Sequence, residues 1–83
     1  MDTKNLDAIS ENAKYGVYMF IDRLDCLFGL SEAVSFEEAM HHCELYFNKN
    51  KKAAYLIHDM IFDNWWIWEP DKITFSTDKR YAA

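Results

Sequence analysis

The apolar positions of this chain fall into blocks whose spacing changes along its length. Leu6, Ile9 and Ala13 recur at three- and four-residue steps. That spacing predicts a short helix over 3–13, with Thr3 or Asn5 as its cap. Tyr15 to Ile21 is then an unbroken run of aromatic and β-branched residues around Gly16, the pattern of a strand buried on both faces. Asp22-Arg23-Leu24-Asp25 reads as a turn, and Cys26 to Leu30 as the returning strand. A helix competes for the same stretch, because Leu6, Ile9, Ala13, Val17, Phe20, Leu24 and Phe28 also form a seam at steps of three and four. It would place Gly16 in mid-helix, at a cost of about 1 kcal/mol against alanine, with further penalties from the aromatic and β-branched side chains. The hairpin is the reading adopted.

Residues 35–48 predict a helix most clearly. Ser35 followed by Glu38 is a capping box. Phe36, Ala39, Met40, Cys43 and Phe47 form one apolar stripe, widened by Leu45 and Tyr46. Lys49, Lys51 and Lys52 oppose the negative end of its dipole. Residues 53–62 read as a core strand, and Asp63-Asn64 as a turn. Glu69-Pro70-Asp71-Lys72 suits a type I turn that joins Trp65–Trp68 to Ile73–Ser76 as a second hairpin. The tail, Thr77 to Ala83, has no apolar pattern beyond Tyr81.

These elements define one α+β domain over 1–83: two hairpins and a strand in a small antiparallel sheet, packed by the central helix, with a short N-terminal helix. The alternative is an all-α three-helix bundle, with helices near 5–29, 35–49 and 52–66 and a C-terminal hairpin. The composition, 51% hydrophobic and 17% aromatic, excludes intrinsic disorder. Two glycines and one proline leave few tight turns.

The net charge is −5, unevenly spread. Residues 1–48 hold nine acids against three bases, and residues 49–83 hold five against six. Lys49, Lys51 and Lys52 are too short a cluster for a nucleic-acid stripe, so direct nucleic-acid binding is not expected. Met1 to Leu6 has neither the charged nor the apolar region of a secretion signal, and no apolar run approaches a membrane span. A cytoplasmic protein with no membrane partner, and with Cys26 and Cys43 reduced, is the expectation.

His41, His42 and Cys43 sit together on the central helix, with Glu37 and Glu38 four residues before the two histidines. Zinc needs four ligands at recognisable spacing, and no C-x-x-C or H-x-x-x-H occurs. Glu–His pairing on a solvated face is the simpler account, with Cys26 and His58 uninvolved. Asp59 follows His58 directly, and adjacent strand residues point to opposite faces, so it does not orient an imidazole base. No glycine-rich phosphate loop exists. The chain is therefore expected to be no enzyme and to hold no metal or cofactor. A small metal-dependent site at His41, His42 and His58 is the least favoured reading.

Trp65, Trp66 and Trp68 carry the remaining signal. On a strand, Trp66 and Trp68 share one face, and Trp65 and Ile67 the other. A chain this short buries only about 60% of its unfolded surface, so one of these faces is expected to meet another molecule, unless the N-terminal helix covers it. The acidity is expected chiefly to keep a small protein soluble; the competing reading is that Glu32, Glu37 and Glu38 steer a basic protein, including one that itself binds nucleic acid. The profile, though no motif, looks like the small proteins that bacteriophages encode against host machinery, such as anti-CRISPR proteins. It implies an inhibitor or adaptor that occludes a partner's surface. The alternatives are a homo-oligomeric structural subunit, with the aromatic face as a homodimer interface, and an acidic nucleic-acid mimic.

Overall fold

β1 (Tyr15–Ile21) forms where the continuous apolar run predicts it, and it is a central strand, paired antiparallel with β2 (Cys26–Ala33) and β3 (Ala54–Asp59). That position explains the run: Val17 and Phe20 are buried on opposite faces of one strand. The structure is a computed structural model that describes residues 13–76. The helix expected over 3–13, all but its last residue, and the tail lie outside the described residues.

The first hairpin turns through a 3-10 helix at Asp22–Leu24 and Asp25, which takes a left-handed φ of 49° and donates to Asp22 O at 3.0 Å. Aspartate tolerates this region better than most residues, so turn chemistry prevails over the helical seam. Gly16, the other break in the seam, gives room to a ring. A Cβ there would lie 2.8 Å from Tyr18 Cε1. The return strand runs to Ala33, past the expected end at Leu30. Ser31 faces Val17 while Gly29 faces Tyr18, so the register slips by one at Leu30. This bulge breaks the two-residue alternation and hides the strand's end in the sequence.

α1 (Phe36–Lys49) is capped as expected: Ser35 Oγ accepts the Glu38 N–H at 3.1 Å. Glu38 Oε1 reaches back one residue further than a capping box prescribes, to the Val34 N–H at 3.2 Å. Ala39 and Cys43 are fully buried on the sheet. The Tyr55 hydroxyl fixes the other end of α1 to β3, donating to Asn50 O at 2.6 Å with Tyr46 O at 3.1 Å.

β3 ends at Asp59, three residues before the expected end, because the Asp59 carboxylate turns the chain by accepting from Ile61 N and Phe62 N. The turn expected at Asp63-Asn64 therefore begins at Met60, and Asn64 already belongs to β4 (Asn64–Glu69). β4 joins β5 (Lys72–Ser76) through Pro70-Asp71, with Glu69 opposite Lys72. No described residue of this turn has a positive φ, as a type I turn led by proline requires.

The sheet order is β2-β1-β3-β4-β5, all antiparallel, with α1 on one face. This is the α+β architecture, and the three-helix bundle is excluded. The helix face buries Val17, Ala33, Tyr55, Ile57 and Trp68 with Ala39 and Cys43. The opposite face buries Phe20, Leu56 and Trp65, flanked by Tyr18, Leu27 and Ile67.

Candidate protein-binding surface

The strand geometry divides the tryptophans as the sequence predicts, Trp66 and Trp68 towards α1 and Trp65 away from it. Trp65 and Trp68 are each only 8% exposed. Trp68 packs edge-on against Phe47 at 5.7 Å, and Trp65 lies between His58, stacked at 4.2 Å, and Tyr18 at 5.0 Å. Of the three indoles only Trp66 is left half-buried, so the contact expected from the sequence would fall on it.

The position of α1 over the sheet determines why Trp66 differs. The helix crosses β2, β1 and β3, and it meets β4 through Phe36 and Phe47. β5 lies beyond this cover, at the sheet's edge. Trp66 sits between Phe36 at 5.6 Å and Phe75 at 4.9 Å, both edge-on. Phe75 remains 48% exposed, and Ile73 is half-buried beside it. Trp66, Ile73 and Phe75 thus form an apolar ledge along the edge hairpin. Sequence reading missed Phe75, because nothing in its spacing told that the helix would stop short of β5.

The three glutamates serve different ends. Glu32 is exposed on β2 opposite Gly16, and Glu37 is exposed in the first turn of α1. Glu38 holds Val34 N, so its carboxylate belongs to the helix cap. The expected Glu37–His41 and Glu38–His42 pairs are replaced. His41 Nδ1 lies 3.9 Å from Glu44, and His42 Nδ1 lies 2.9 Å from Ser31 Oγ. The cause is local: Glu38 is already engaged, and His42 faces the bulged strand β2.

Ser31 and His42 have the reach of a nucleophile and its base. Among the described residues no carboxylate is bonded to the other ring nitrogen of His42 to orient it, and the pair ties helix to edge strand. Asp59 does not orient His58, as expected. Asp63 does instead: His58 Nε2–H donates to Asp63 Oδ1 at 2.7 Å. Reading residues 53–62 as one strand concealed this pair, since the contact needs a turn between its members. Burial pushes the Cys43 thiol up to about 12, which leaves it a neutral apolar side chain. Cys26 is free and exposed. Among the described residues no three His, Cys, Asp or Glu side chains converge to hold a metal ion, and no helix is long and apolar enough to cross a membrane.

No protein-family model matches the chain, and no curated protein or solved structure matches it.

Proposed function

We propose that the protein is a non-enzymatic binding module that inhibits or links a partner protein by covering part of its surface. The observation that carries this reading is the ledge of Trp66, Ile73 and Phe75. An aromatic group rigidly flanked by Phe36 and left open on one side resembles the anchors that dominate protein interfaces. Cytoplasmic action suits a free, exposed Cys26. The phage-inhibitor profile gives the class of partner to try first, a basic protein of the host's nucleic-acid machinery, steered by Glu32 and Glu37.

The test compares wild type with Phe75→Ser in capture from the native host's lysate, with melting temperature as the folding control. Capture by wild type that Phe75→Ser abolishes, without loss of stability, supports the reading; equal capture by both rejects it. Self-association is a second reading, because β5 is an edge strand among the described residues and carries Phe75. Light scattering separates the two: a dimer lost in Phe75→Ser makes the partner another copy of this chain.

A further inference from the structure

The β3–β4 loop is built more firmly than a connection requires. Asp59 Oδ1 accepts from Ile61 N at 2.9 Å and Phe62 N at 3.1 Å. Met60 N donates to Lys14 O at 2.9 Å. Asp63 takes a left-handed φ of 55°, and its carboxylate accepts from His58 at 2.7 Å. His58 is in turn stacked on Trp65 at 4.2 Å. Both stems of the loop are fixed in this way, and a non-glycine residue is kept in a sparsely populated backbone region.

What this frame presents is apolar. Met60, Ile61 and Phe62 are 38%, 62% and 74% exposed. Hairpin connections usually carry polar residues and glycine, and adjacent large apolar side chains in water favour association. The surroundings are acidic. Asp59 and Asp63 flank the loop, and Glu32 and His58 lie in one cross-strand row through Gly16. Glu37 and Glu38 begin α1 at the same end of the sheet, where Phe36 meets Tyr15 and Trp66. Among the described residues Lys14 is the base placed there.

We propose that Met60, Ile61 and Phe62 form a pre-ordered anchor for an apolar cavity, rimmed by lysine and arginine, on a partner protein. The two most exposed side chains at the tip, Ile61 and Phe62, fill the cavity, and the surrounding carboxylates face its basic rim. Because the loop is already fixed, little conformational entropy is lost on docking. An anionic lipid surface fits worse, since the same carboxylates oppose its charge. The loop is distinct from the Phe75 ledge and stands without it.

The test uses the full chain, immobilised, and a disulfide-cyclised random peptide library displayed on phage. Selected peptides are expected to combine lysine or arginine with aliphatic or aromatic residues. Their Kd should rise at least about tenfold with Ile61→Ser/Phe62→Ser, the size of a hot-spot loss, and stay unchanged with Phe75→Ser. Raising salt should slow their association. Phe62→Ser alone, at the most exposed position, repeats the test with the least risk to folding. Equal binding by the loop variants overturns the proposal, as does a selection without excess basic residues. So does loop-dependent binding to phosphatidylserine vesicles, or a loop-dependent dimer in light scattering.

Discussion

Burial at Cys43 sets a pH dependence that can be worked out from a single residue. The folded thiol titrates near 12 against 9.0 for an exposed one. Below the lower value both states hold the proton, and the full stability is present. Above it the unfolded chain loses its proton first, so stability falls as pH rises, by about 1.4 kcal/mol for each unit over that window. Tyr55 adds to the loss with the same sign, because burial raises its phenol, as does the nearby charge of a Cys43 thiolate. Denaturant unfolding at neutral and alkaline pH should show the fall, and Cys43→Ala should reduce its slope while leaving the part due to the burial of Tyr55. In the folded protein a thiol reagent should modify Cys26 alone. Gly16 makes a second test at this scale. Gly16→Ala puts a methyl 2.8 Å from the Tyr18 ring, which is itself held against Trp65. The ring must move, and a melting temperature lowered by several degrees is expected, as for overpacking of about 1–3 kcal/mol.

Among the elements, α1 was the most legible in the sequence, because its cap, stripe and terminal lysine are all local signals. Glu38→Gln should keep a weaker hydrogen bond to Val34 N, while Glu38→Ala should destabilise by about 1 kcal/mol, as cap losses do. Circular dichroism melts of the two variants check this, and equal stability of Ala and wild type would remove Glu38 from the cap. The first hairpin was legible for a different reason: a two-sided apolar strand beside an aspartate-rich turn. Features that depend on partners distant in sequence were hidden. The bulge at Leu30 exists relative to β1, so its own sequence shows only a lapse in alternation. The end of β3 was hidden for a local reason: Asp59 bonds forwards to Ile61 and Phe62, and the apolar character of those residues disguised them as strand. The candidate surface suffered most from this. The tryptophans announced an aromatic interface, yet Trp65 and Trp68 are buried, and Phe75, Ile61 and Phe62 are exposed apolar groups, as are Leu24, Val34 and Leu45.

In the whole molecule, the sheet separates two apolar faces, and each holds a buried tryptophan. The chain is also polar along its strands. Among the described residues, Glu32, Glu37, Glu38, Asp59 and Asp63 lie with Lys14 at the end where α1 begins; Arg23, Lys49, Lys51, Lys52 and Lys72 lie at the other, among Asp22, Asp25, Glu69 and Asp71. Neutralising Glu32 and Glu37 together, with Glu38 left to its cap, should slow association with a basic partner and leave dissociation nearly unchanged. The tryptophans test the layering itself. Trp68→Ala opens the core beneath α1, and Trp65→Ala opens the opposite face beside Leu56 and His58. Each should cost about 3–5 kcal/mol, as large aromatic truncations in cores do. Trp66 is half-buried, so Trp66→Ala should cost less and should also weaken any association that Phe75→Ser weakens. Thermal unfolding and partner binding are read separately for the four variants. If Trp65→Ala left stability unchanged, the face away from α1 would contribute nothing to the folded monomer, and the second core would have to be abandoned. If Trp66→Ala and Phe75→Ser altered stability but never association, the ledge would be only the margin of the first core.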